Sequence, residues 1–137
     1  IFRRRDWFYG REIHGSGISD IGWFNVDGHV MQDEWNAGYF KTLTVFLNGQ
    51  EIATPTLRGE QVIDDSFLLM FIAHYDSLEF ALPEEVREQI GKTGNVRKWR
   101  LLIDTKEEGF VRRKKTYKKK DKIPVSGRSL VVLQSPL

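Results

Sequence analysis

The apolar residues of this chain come in runs of strand length, separated by residues that turn the backbone. The longest run, residues 67–73, holds seven apolar side chains, far short of the roughly 20 needed for a membrane-spanning helix, so a membrane span is excluded at this level. Asp27-Gly28 separates residues 21–26 from 29–31, and Asn48-Gly49 closes the alternating, β-branched stretch 41–48. Asp27-Gly28 favours positive φ at both central positions of a tight turn, which makes it a strong hairpin signal between apolar runs, and Asn48-Gly49 is read as the turn that ends its strand.

Further strands are expected at residues 66–75, 77–82, 98–104 and 129–134, each rich in β-branched, aromatic or aliphatic residues. Residues 66–75 (SFLLMFIAHY) form the most hydrophobic stretch. Length and flanking strands favour a central strand buried on both faces over a helix of the same composition. Asp33 to Gly38 reads as a short helical turn, with Asp33 as cap and Gly38 as stop, and residues 83–90 as a short helical segment at most. The pattern predicts an all-β fold, an antiparallel β-sandwich of about six to eight strands with a short helical insertion.

A length of 137 residues suits one ordinary domain, and 40% hydrophobic with 29% charged residues describes a globular chain with a core. The chain has no cysteine, which excludes disulfide scaffolds, cysteine-type zinc and thiolate catalysis. His14, His29 and His74 are too far apart for a short metal motif, and no metal or cofactor is expected. Residues 112–122 (RRKKTYKKKDK) carry eight basic residues and one acid, leaving 13 basic and 18 acidic residues elsewhere. The basic excess is therefore a local feature of a mildly acidic body. Clustered Lys and Arg could hold nucleic acid by releasing counterions from phosphates. Only Tyr117 interleaves them, so a solvated, mobile loop between two strands is the preferred reading and nucleic acid an unlikely partner.

No catalytic residue is expected in this chain. Asp27, Asp33, Glu34, Asp64 and Asp65 sit in turn contexts, where carboxylates satisfy local backbone donors far more often than they catalyse. Gly15-Ser16-Gly17 is not a nucleophile elbow, and no Lys-Ser/Thr follows the glycines at phosphate-loop spacing. Trp23 and Trp99 fall on predicted strands and are expected in the core. Trp7 and Trp35 lie outside the strands and are candidates for contact with a sugar or a neighbouring domain, as is Phe8. Residues 1–17, with Trp7, Phe8 and Tyr9 adjacent, read as a lead-in that packs against something preceding it. The absence of an apolar stretch after Arg3, Arg4 and Arg5 argues against a signal peptide.

Taken in order, the motifs resemble a known family. Asp20-Ile21-x-Trp23-Phe24-x-x-Asp27-Gly28-x-x-Met31-x-x-x-Trp35 is similar to the linker and first strands of the C-terminal domain of bacterial glycogen debranching enzymes of the isoamylase type. Leu43-x-Val45-x-Leu47-Asn48-Gly49 resembles the next strand of that domain. Asp64-Asp65-Ser66-Phe67-Leu68-Leu69 with Ala73-His74-Tyr75 looks like its D-D-x-x-L-L-x-x-N-A-H strand, with Ile72 where the family often has Asn. Phe80-x-Leu82-Pro83, Trp99-x-Leu101-Leu102-Ile103-Asp104-Thr105 and Arg128-Ser129-Leu130-Val131-Val132-Leu133 continue the series.

The resemblance implies a parent hydrolase of the α-amylase clan, cytoplasmic, that cleaves α-1,6-glucosidic branch points of glycogen or limit dextrin. Its catalytic barrel would precede residue 1 and be the partner of this chain in the same polypeptide. Residues 1–17 would be the end of that barrel and its exit segment, and residues 18–137 the β-sandwich. Trp7, Phe8 and Trp35 are then candidates for contact with the barrel or with glucan at the domain rim. The alternatives are an independent carbohydrate-binding module and, less favoured, a nucleic-acid-binding protein acting through residues 112–122.

Overall fold

A computed structural model describes residues 20–38, 41–52, 55–83, 86, 98–107, 115–118 and 120–136. Among these residues there are eight strands: β1 (Ile21–Phe24), β2 (Thr42–Leu47), β3 (Ser66–Ile72), β4 (Leu78–Ala81), β5 (Trp99–Asp104), β6 (Thr116–Tyr117), β7 (Lys122–Val125) and β8 (Ser129–Ser135). Six form one antiparallel sheet in the order β1-β2-β3-β8-β5-β6, and β4 pairs with β7 in a second sheet. The all-β expectation holds. Among the described residues the expected helical turn is present as a 3-10 turn at Asp33–Asn36, and most of the helical segment expected at residues 83–90 lies outside them.

The second sheet is an extension of the first, folded over it. β3 pairs with β8 through Ile72↔Ser129, and beyond a corner β4 pairs with β7 through Leu78↔Val125. The two connections lie one on the other: the Arg128 N–H donates to the His74 carbonyl at 2.7 Å, and Arg128 adopts a φ of 53°. Gly127 sits so close to Tyr75 that a Cβ would collide with the Tyr75 carbonyl. Close approach of two backbones is what selects glycine here.

Between the sheets lies the main core. Even-numbered residues of β2 and β3 (Phe46, Leu68, Met70, Ile72) and odd-numbered residues of β8 (Val131, Leu133) point inward, with Phe24, Trp99, Leu101 and Tyr117. Phe80, Leu82, Ile123 and Val125 meet them from the second sheet. The alternation is the ordinary period of a strand. Trp99 is fully buried and meets Phe46 edge-on, with ring centroids 6.3 Å apart.

Four local expectations need correction. Residues 29–31 do not form a strand; beyond Gly28, at φ 84°, Val30 makes one isolated bridge to Phe24. Trp23 is 39% exposed rather than in the core, because its position in β1 points it to the outer face of the large sheet. The central strand ends at Ile72 and is covered fully on one face only, Phe71 being 36% exposed. Finally, the basic run is not simply a loop. Thr116 and Tyr117 pair with β5, Tyr117 is buried, and Lys122 opens β7. One aromatic side chain entering the core outweighs the solvation of its lysine neighbours.

Candidate functional site

The carboxylates singled out in the sequence can be placed first. Asp27 lies in the turn after β1, where Asn25 Oδ1 accepts from the N–H groups of Asp27 and His29, both at 3.0 Å. Asp64 and Asp65 lie just before β3, where Asp64 Oδ1 accepts from the Asp65 N–H at 2.9 Å and Gln134 Nε2 donates to Asp65 Oδ2. Since Phe24 pairs with Thr44 and Leu47 with Phe67, the fold sets Asp27 and the Asp64–Asp65 pair at opposite ends of the β1-β2-β3 ladder. Asp33 belongs to the 3-10 turn. Other acids cap their own turns: Asp104 Oδ1 accepts from the Lys106 N–H at 3.0 Å, and Asp121 Oδ2 from the Lys118 N–H at 2.7 Å. These are the bonds that short polar side chains make with nearby backbone donors.

Trp7 and Phe8 lie outside the described residues. Trp35 stands in the 3-10 turn, remote in sequence from any acid on the β3 side. Among the described residues, no three or more His, Asp or Glu side chains form a group that could hold a metal ion. No helix among them is long and apolar enough to cross a membrane.

What the structure does assemble is an apolar surface on the outer face of the large sheet. Three rows of side chains run across it. Ile21, Leu47 and Phe67 form the first, beside Gln134. Trp23, Val45, Leu69, Val132 and Ile103 form the second, and Leu43, Phe71 and Leu130 the third. The first row is buried, with Ile52 beside it in the same cluster and Val62 packed against that cluster. Both belong to the loop between β2 and β3, whose base is closed by the Asp64 N–H donating to the Gly49 carbonyl at 2.8 Å. Leu43, Leu69, Ile103 and Leu130 are only half-buried, and Trp23 and Phe71 are exposed.

A bulge in β5 adds to this surface. The register with β8 shifts between Leu101, opposite Leu133, and Ile103, opposite Val132. The extra residue, Leu102, lets Ile103 share the outer cluster with it, while Leu101 stays in the main core. Sequence reasoning did not gather these outer residues into one surface; it placed Trp23 in the core and read residues 66–75 as buried on both faces. Their signal was present as apolar side chains at both parities of β2, β3 and β8, a pattern that strands buried on both faces show.

No protein-family profile matches the chain. Over 140 aligned positions covering all of it, the chain is 37% identical to the glycogen operon protein GlgX homolog of Mycobacterium bovis, and equally to that of Mycobacterium tuberculosis. It spans 18% of the length of each of these relatives. The resemblance carried by the motif order is thereby upheld: over its whole length the chain is related to one segment of the GlgX-homologue glycogen operon proteins.

Proposed function

We propose that this chain is the C-terminal, noncatalytic β-sandwich domain of a cytoplasmic glycogen debranching enzyme of the isoamylase type. The parent hydrolyses α-1,6-glucosidic branch linkages in glycogen or limit dextrin. The observation that carries the reading is 37% identity over the full chain to proteins more than five times its length, named for the glycogen operon. The disposition of the acids supports the noncatalytic part. A glycosidase needs two carboxyl groups facing each other across the scissile bond, roughly 5–9.5 Å apart. Here Asp27 is set at the opposite end of the ladder from Asp64 and Asp65, and Asp64, Asp65, Asp104 and Asp121 each accept a local or cross-strand hydrogen bond.

In this reading residues 18–137 stabilise the enzyme, and residues 1–17 lead in from its catalytic barrel. Release of reducing sugar from limit dextrin tests it. The 137-residue chain is expected to release none above background, and the full-length polypeptide that carries it to cleave branch points. Activity of the isolated chain would overturn the assignment, and so would a full-length protein inert on branched glucan.

A further inference from the structure

Two turns meet at one corner of the fold, the connection from β3 to β4 and the connection from β7 to β8. The backbone fixes how they meet: the Arg128 N–H donates to the His74 carbonyl at 2.7 Å, and Gly127 lies against the Tyr75 carbonyl. The β7–β8 turn is also tied within itself, Ser129 Oγ donating to the Ser126 carbonyl. On this frame stand Tyr75, which is 70% exposed, and Asp76 and Arg128, both exposed.

Two features set the corner apart from an ordinary turn. Among the described residues, Arg128 is the one non-glycine at positive φ. Glycine fills that conformation without strain. Close approach to Tyr75 claims the glycine at position 127, and the left-handed position beside it carries a guanidinium instead. Strain of this kind gathers at binding sites, where the side chain is used. The second feature is that the Tyr75 ring is held. It leans on the His74 ring, with centroids 4.1 Å apart and planes inclined by 32°. The imidazole is fixed in turn, because its Nδ1 accepts from the Asp76 N–H at 3.2 Å and lies 3.3 Å from Asp76 Oδ2. A ring ordered in advance loses less freedom when something binds to it.

We propose that this corner, with Tyr75 as platform and Asp76 and Arg128 beside it, is a binding site for α-glucan. The choice of ligand rests on the proposed function. The side chains themselves select a neutral, polyhydroxylated ring. A pyranose has an apolar C–H face that suits an aromatic ring, and hydroxyls at its rim that both donate and accept. Asp76 supplies an acceptor and Arg128 a planar fork of donors, and together they carry no net charge. A phosphate would meet the Asp76 carboxylate as a like charge.

Electrophoresis of the 137-residue chain in gels containing glycogen tests the site. The parent chain is expected to be retarded, and free maltoheptaose to relieve the retardation. Tyr75→Ala and Arg128→Gly should each weaken retention about tenfold. The arginine variant separates binding from folding, since glycine relieves the left-handed strain: its melting temperature should stay at or above the parent's while retention falls. A parent chain that runs unretarded would overturn the proposal. So would variants retained as before, or an Arg128→Gly chain that loses stability together with binding, which would make Arg128 a structural residue.

The full-length polypeptide gives a second readout. There Tyr75→Ala is expected to raise KM for limit dextrin with kcat unchanged, as removal of substrate binding alone does. A lower kcat at unchanged KM would overturn the site. Debranching activity of the unmodified full-length protein separates this inference from the reading beneath it. A chain retained by glycogen, within a parent inert on limit dextrin, would remove the enzymatic assignment and keep the site. An active debrancher whose isolated chain ignores glycogen would do the reverse.

Discussion

Trp99 and Tyr117 stand directly opposite each other in the β5–β6 ladder, and both are buried. The pair joins the end of the basic segment to the centre of the core, since Trp99 in turn meets Phe46 on β2. Tyr117 is thus an anchor, while Lys118 and Lys120 beside it are exposed.

That contrast predicts a graded response to alanine. Trp99→Ala and Tyr117→Ala should each destabilise the chain by about 3–5 kcal/mol, the usual cost of removing a large buried aromatic. Lys118→Ala and Lys120→Ala should stay within about 0.5 kcal/mol of the parent. Urea unfolding followed by tryptophan fluorescence measures all four, and a tolerated Tyr117→Ala would mean that β6 contributes no core.

The stacked corners make a second prediction. A methyl group at Gly127 has nowhere to go, because the atom it meets is the Tyr75 backbone carbonyl rather than a side chain that can swing away. Gly127→Ala should therefore cost about 2–3 kcal/mol. Gly38, with nothing within 4 Å of an added Cβ and no positive φ, should accept alanine without loss. Thermal melts of the two variants side by side would show the difference, and equal melting temperatures would contradict the close approach of the corners.

Thr44 gives a stabilising prediction. Its hydroxyl is fully buried on the inner face of β2, and Oγ1 has no hydrogen-bond partner among the described residues. A buried hydroxyl left unpaired costs about 1–3 kcal/mol, and valine has nearly the same shape without that cost. Thr44→Val should raise stability by about 1 kcal/mol. A loss of stability in chemical denaturation would show that the hydroxyl finds a partner.

The sequence made some elements plain because local chemistry alone specifies them. β2, β3, β5 and β8 announce themselves as apolar runs, and Asn48-Gly49 marks the turn after β2. β6 was hidden because its two residues lie among lysines, and only pairing with a strand 18 positions earlier in the chain reveals that Tyr117 is buried. Trp23 was misplaced for a related reason: alternation says that two faces exist, not which one the rest of the chain will cover. The bulge at Leu102 depends on the β8 register and has no mark of its own in the run WRLLID. The same holds for the outer surface as a site. Its members are unremarkable one by one, and only the cross-strand register gathers Leu43, Phe71 and Leu130 into a row.

The two-residue length of β6 bears on how the chain behaves in a crowd. A long bare strand at a sheet's margin templates addition of further strands from other molecules, the route to fibrils and precipitates. Among the described residues, that margin offers a newcomer Thr116 and Tyr117, with the ammonium groups of Lys115 and Lys118 on either side. Positive charge crowded at the place of attachment repels an identical copy bringing the same charge. The lysine-rich segment can thus act as a guard against self-assembly.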